Sequence, residues 1–213
     1  MIADHTLVPL VIATANAHKV EEFRRILAGL PVTVLSAADA GIEREVAETG
    51  ATLEENARLK AAAYGAAADA AGLRCWILAD DSGLMVDALG GAPGVHSNRW
   101  AGAVTAADRN RLLLERLRDV PPGPARRARF ECAIALRDPT GHEILATGTL
   151  EGQIGLAPTP HPRGGFGYDP IFYLPDRGCM LADLLPAEKD AISHRGRAGQ
   201  AARVILERAL KGG

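Results

Sequence analysis

The sequence predicts an α/β fold, a mixed twisted sheet with flanking helices, and three observations predict it. Short apolar runs of strand length alternate with stretches of helical spacing. Two of those runs are joined by a polar four-residue turn, so hairpin connections occur beside crossovers. The chain of 213 residues, 47% hydrophobic and 23% charged, is long enough to bury a core as one domain or as two lobes around a central cleft.

In order, Leu7–Ala13 reads as a buried strand, with Pro9 suggesting an edge or a bulge. Ala17–Leu30 carries Val20, Phe23, Ile26, Leu27 and Leu30 on one helical face and stops at Pro31. A second strand follows over Val32–Leu35. Thr52 to about Ala71 is an alanine-rich helix ending at Gly72, and Thr52 with Glu55 has the spacing of a capping box. Cys75–Ala79 is a strand that runs into Asp80-Asp81-Ser82-Gly83, and residues 90–102 are rich in turn formers. Thr105–Arg118 reads as a helix with Leu112, Leu113 and Leu117 inward. Arg129–Arg137 and His142–Leu150 form the hairpin across Asp138-Pro139-Thr140-Gly141. Ile171–Leu174 is a short strand, and Ser193 begins a last helix reaching about Leu210.

A formal net charge of −2 offers no basic stripe for duplex nucleic acid. Cys75, Cys132 and Cys179 are sparse, odd in number and not at metal spacing, which fits thiols in a reducing compartment. The first apolar run is too short to span a membrane and follows Asp4 and His5, not a basic segment. A cytoplasmic location is expected.

Four segments carry candidate chemistry. Gly164-Gly165-Phe166-Gly167-Tyr168-Asp169-Pro170 combines glycines that admit close approach, an aromatic pair for stacking and a carboxylate to read a ring edge, as a base pocket requires. It also reads as a tight turn with two core aromatics. Thr14-Ala15-Asn16-Ala17-His18-Lys19 lies where a strand meets a helix, so its N–H groups, polar side chains and ammonium suit phosphates. The plainer reading is an Asn16 cap beside a solvated lysine.

Asp80 and Asp81 fall at the carboxyl end of a strand, with neighbouring side chains on opposite faces, so one enters a site while the other supports it. Glu48 or Glu45 would bring a second carboxylate, the kind of set that magnesium takes with phosphate oxygens and water. A solvated acidic turn is the alternative. Lys189 and the pair His194-Arg195 form the last set, either surface charges or donors that grip a purine oxo group.

Together these segments resemble the Ham1-type purine nucleoside triphosphate pyrophosphatases, the dITP/XTP house-cleaning family. Seven short motifs carry the resemblance along nearly the whole chain. They are Thr14, Asn16, Lys19 and Glu22; Glu-Thr-Gly at 48–50; Glu-Asn-Ala-x-x-Lys-Ala at 55–61; Ala-Asp-Asp-Ser-Gly-Leu at 79–84; Gly-Gly-Ala-Pro-Gly-Val at 90–95; the glycine loop at 164–170; and Ser-His-Arg-Gly at 193–196.

The resemblance implies one catalytic domain over residues 1–213, with two lobes around a central active-site cleft. It implies hydrolysis of ITP, dITP and XTP between the α- and β-phosphates, giving monophosphate and pyrophosphate. Thr14, Ala15, Asn16, Ala17, His18 and Lys19 would hold the triphosphate. Asp81 would be the general base and, with Glu48, a magnesium ligand; Ser82 would touch the substrate. Phe166, Gly167, Tyr168, Asp169, Lys189, His194 and Arg195 would surround the base. A homodimer is also implied. Ala15 stands where many relatives carry glycine and Ala47 where bacterial relatives often carry glutamate, the latter bearing on the metal ligands. Two rivals remain: a pyrophosphatase for modified bases, as in the Maf-like proteins, and a nucleotide sensor without turnover.

Overall fold

A computed structural model describes residues 7–102 and 105–211, leaving Asp4 and His5 outside the described part. Strands β1 (Val8–Ile12), β2 (Val32–Ser36), β3 (Trp76–Val86), β4 (Pro93–Gly94), β5 (Arg127–Arg137), β6 (Glu143–Ile154), β7 (Phe172–Leu174) and β8 (Cys179–Met180) form a mixed sheet. Its order is β2-β1-β3-β5-β6-β7-β8, with β4 paired to β3. The helices are α1 (Ala17–Ile26), α2 (Leu53–Ala70), α3 (Ala106–Arg116), α4 (Pro186–Ile192) and α5 (His194–Lys211). The chain divides into two compact units. The first runs to Asp81 and adds Cys132–Gly148 and the chain from Gly196; the second comprises Ser82–Glu131 and Thr149–Arg195.

In the first unit β1 pairs in parallel with both β2 and β3. It is therefore not the edge strand that Pro9 suggested. Pro9 is accommodated because it registers with Thr33 of β2, whereas pairing with β3 begins at Leu10. The core gathers Leu10, Ile12, Phe23, Leu27, Leu78, Ile134 and Leu206. Helix α1 is shorter than its apolar period, yet Leu27 and Leu30 stay buried in the turns after it. Thr52 caps α2 through Glu55 N–H (3.1 Å), but the Glu55 carboxylate reaches Ala51 N–H (2.6 Å), so the reciprocal bond of the expected box shifts by one residue.

The second unit has its own core, in which Leu84, Leu113, Leu117, Phe130, Tyr168, Ile171 and Phe172 meet. Leu113 and Leu117 are inward as expected, while Leu112 is half-buried. Thr105 and Asp108 form a complete capping box on α3. Past its other end, the buried Arg126 guanidinium donates to the carbonyls of Leu117 (2.6 Å), Val120 (3.1 Å) and Gly155 (2.9 Å). Those carbonyls lie past the ends of α3 and β6, and that of Leu117 also accepts from Val120 N–H (2.9 Å). Two-residue strands β4 and β8 and the short helix α4 carry no readable period, so the sequence does not predict them.

Close packing of β6 on β7 makes one glycine obligatory. A Cβ on Gly152 would lie 2.5 Å from Cε1 of the fully buried Phe172 and 2.7 Å from the Tyr173 carbonyl oxygen. Gly152→Ala is expected to destabilise the protein by about 1–3 kcal/mol, read as a lower midpoint in thermal unfolding. An unchanged midpoint would contradict this packing.

Candidate active site

Strand β3 does not turn at Asp80-Asp81-Ser82-Gly83, as the sequence suggested; it continues through them to Val86. The parallel ladder with β1 nevertheless ends at Leu78. Both aspartates thus sit just past the paired segment, buried to 1% and 2% exposure. That burial rules out a solvated acidic turn. Extended backbone sends the neighbours to opposite faces, and each meets a lysine from a different helix. Asp80 receives Lys19 of α1 at 2.9 Å, and Asp81 receives Lys60 of α2 at 3.2 Å.

Lys19 is accordingly no solvated point charge; it is buried against Asp80. Asn16 does cap α1, its Oδ1 accepting from His18 N–H at 2.9 Å, while Thr14 Oγ1 accepts from Asn16 N–H at 3.2 Å. Ala15, Ala17 and His18 are exposed. A hollow of about 290 Å³ adjoins this turn, lined by Thr14, Ala15, Ala17, Arg24 and Glu43 among others.

Lys60 is the residue the sequence reading missed, although it lies within a quoted motif. Its ammonium bridges Glu48 (2.9 Å) and Asp81, while Asn56 Nδ2 donates to the other Asp81 oxygen at 3.0 Å. The signal was available in the spacing: Asn56 and Lys60 are four residues apart, on one face of α2. Of the two glutamates considered, Glu48 joins this cluster and Glu45 is exposed.

The carboxylates of Glu48, Asp80 and Asp81 lie against the ammonium groups of Lys19 and Lys60. Burial pushes the Asp81 carboxyl upward, Glu48 adds to the rise, and Lys60, Lys19 and the Asn56 bond oppose it. For Lys60, burial alone would lower the ammonium, but Asp81, Asp80 and Glu48 outweigh it and raise its pKa. The two directions agree: three carboxylates overcome the burial of Lys60, whereas the burial of Asp81, with Glu48 beside it, outweighs its cations.

Among the described residues no three His, Cys, Asp or Glu side chains converge as a metal cage. Glu48 and Asp81, by contrast, already converge on one cation, the Lys60 ammonium, and two hard oxygen donors so placed suit a magnesium ion completed by phosphate oxygens and water.

In the second unit the glycine loop folds around Asp169. One carboxylate oxygen accepts from Phe166 N–H (2.8 Å) and from Lys189 Nζ (2.7 Å). A Cβ on Gly165 would fall 2.7 Å from that oxygen, and its φ of +86° also favours glycine. Tyr168 does not join a stacking pair. It is buried in the core, its hydroxyl donates to the Ser97 carbonyl at 3.0 Å, and burial pushes its pKa up to about 12. Phe166 alone remains half-buried.

Lys189 Nζ lies 4.6 Å and Arg195 Cζ 5.3 Å from the Phe166 ring centre. Arg195 also donates to Ser82 Oγ at 3.0 Å, and His194 stacks on Phe130 with centroids 4.6 Å apart. Lys189, His194 and Arg195 are all at most 5% exposed, so they are not surface charges. The segment at 90–97 has a place here too: Ser97 Oγ donates to Gly94 O (2.6 Å) and accepts from Leu84 N–H (2.8 Å), presenting its carbonyl to Tyr168.

Comparisons with known proteins identify the family. The Ham1 family model matches residues 10–204. A dITP/XTP pyrophosphatase of Geobacillus kaustophilus is 48% identical over 189 residues, 89% of each chain. One from Exiguobacterium sibiricum is 48% identical over 193 residues, 89% of this chain and 92% of that one. Among solved structures, a HAM1 protein from Coxiella burnetii superposes with a TM-score of 0.80 at 38% identity, covering 94% of this chain and 99% of the other.

Lys60→Met removes the cation shared by Asp81 and Glu48. The Asp81 carboxyl should rise further above its ordinary 3.8. Its ionised form is then disfavoured in the folded state, so stability present at low pH is lost as pH climbs through the raised value. The variant is expected to lose roughly 3 kcal/mol at about pH 8 and distinctly less at about pH 5, measured by denaturant unfolding. An equal deficit at both would contradict the assignment.

Proposed function

We propose, from the premise that the chain belongs to the Ham1 family and is a nucleoside-triphosphate pyrophosphatase, that it hydrolyses ITP, dITP and XTP to monophosphate and pyrophosphate. The single observation that carries the reading is a buried, burial-raised Asp81 held between Lys60 and Asn56. A carboxylate raised toward neutrality is a better acceptor for a water proton than an ordinary one. Each Asp81 oxygen accepts one bond and keeps a second lone pair, so a proton can be taken without breaking the cluster.

Residues 1–213 act in this reading as one catalytic domain, in which the first unit handles phosphate and the second reads the base. The α1 N-terminus at Thr14–Lys19 would hold phosphate oxygens at the positive end of the helix dipole. Glu48 and Asp81 would hold magnesium, which when bound neutralises phosphate charge that the acidic cluster would otherwise repel. Lys60 keeps both carboxylates converged, and Lys19 does the same for Asp80.

Phe166 offers the stacking surface. Lys189 and Arg195 supply the donors beside it, which match a 6-oxo group and meet an amino group in adenine. A buried donor left unpaired costs about 1–3 kcal/mol, so adenine nucleotides are rejected by roughly tenfold or more per donor. Ser82 fixes Arg195, His194 supports it from Phe130, and Asp169 aims Lys189. The protein works in the cytoplasm as a homodimer in this reading. Among the described residues no helix is long and apolar enough to cross a membrane.

Guanine shares the 6-oxo group, so its rejection requires an unfavourable fit at its 2-amino group. Purified protein with magnesium is expected to release pyrophosphate from ITP, dITP and XTP, and little from GTP or ATP. Asp81→Asn should lower kcat for ITP by about 10²–10⁴-fold while nucleotide binding persists. Binding without release in the parent protein would establish a sensor; release confined to modified pyrimidines would move the substrate class.

A further inference from the structure

We infer that Asn110, on α3, is a positioning residue that sets base selectivity by holding the Gly167 peptide; this rests on the base-reading role proposed for Phe166. Asn110 is 6% exposed, and its Nδ2 donates to the Gly167 carbonyl at 3.1 Å. Its Oδ1 is buried without a hydrogen-bond partner among the described residues. A half-satisfied carboxamide is a poor filler for a helix face, since an apolar side chain of similar size would avoid the unpaired oxygen. The bonded half therefore explains its presence.

The loop needs such a hold. Gly167 has φ of +63°, and a Cβ at either Gly164 or Gly167 would meet nothing within 4 Å. Beside it lies a cavity of about 450 Å³, lined by Ala106, Asn110 and Leu114 on the helix and by Phe166, Gly167 and Pro170 on the loop. Side-chain packing leaves that flank open, and the Asn110 bond spans from helix to loop there. At the Phe166 N–H, the Asp169 carboxylate already fixes that group and Lys189 together, and Asp169 N–H closes the turn onto the Phe166 carbonyl (3.2 Å). The Phe166 ring is thus held against Lys189 and Arg195 by a carboxylate on its own N–H and a carboxamide on the carbonyl of the next residue. Without Asn110 the Gly167 carbonyl loses its tie to α3, and the ring's setting beside the two cations loosens.

The test compares kcat and KM for ITP and ATP in the parent protein, Asn110→Ala and Asn110→Leu. The second variant keeps the side-chain bulk and removes the polar atoms, the unpaired oxygen among them, so it is expected to fold. Both are expected to raise KM for ITP about three- to tenfold, the range of one hydrogen bond. The ITP/ATP ratio of kcat/KM should fall by a similar factor while kcat for ITP stays within about twofold. A merely structural role would reduce kcat for both nucleotides alike and leave KM and the ratio unmoved, and that result in both variants overturns the inference. If Asn110→Ala does not fold, Asn110→Leu decides by the same criterion. A parent protein that does not prefer ITP to ATP defeats the underlying functional reading instead, and shows it before any variant is measured.

Discussion

Two adjacent buried carboxylates in one strand impose a constraint that most of the first unit obeys. Asp80 and Asp81 must point to opposite faces of β3, and an unpaired buried charge is disfavoured by several kcal/mol or more. A cation is therefore required on each face. Helix α1 delivers Lys19 to one and α2 delivers Lys60 to the other. The crossover connections that bring those helices to the sheet also place β1 beside β3, and the ladder ends at Leu78 so that the aspartates are no longer in the β1 register. The packing of α1 and α2 and the ionic state of β3 are thus one problem with one solution.

The acids are held in place by shared donors. Lys60 bridges Glu48 and Asp81 while Asn56 donates to the other Asp81 oxygen, and burial still keeps the Asp81 carboxyl above its ordinary range. In the second unit one Asp169 oxygen accepts from both Lys189 and the Phe166 N–H, and Lys189 and Arg195 both lie against the Phe166 ring. Each buried charge is thus tied to residues distant in sequence.

Much of this was legible in the residues. The strand–helix alternation, the hairpin over Asp138–Gly141 and the Thr52 and Thr105 helix starts rest on local pattern, and the structure has corresponding elements at each. The alternation of Asp80 and Asp81 across the strand rests on it too, each meeting its own lysine. What failed was long-range. Ser82 and Gly83 look like a turn because nothing nearby in sequence shows that Lys60, 21 positions away from Asp81, satisfies its charge. Tyr168 looks like a stacking partner for Phe166 because its hydroxyl finds Ser97, 71 positions away. Strands of two residues, and an α4 of seven, are shorter than the periods by which they would be recognised.

The Arg126 contacts carry a consequence of their own. All three of its recorded acceptors are main-chain carbonyls, which neither titrate nor attract counterions. The tether between the far end of α3 and the end of β6 is therefore indifferent to ionic strength and to acid. The Asp81–Lys60–Glu48 cluster answers to acid, because burial already raises the Asp81 carboxyl, although salt reaches so buried a cluster only weakly. Acidification should therefore protonate Asp81 while leaving α3 anchored, a change of charge before it is one of architecture.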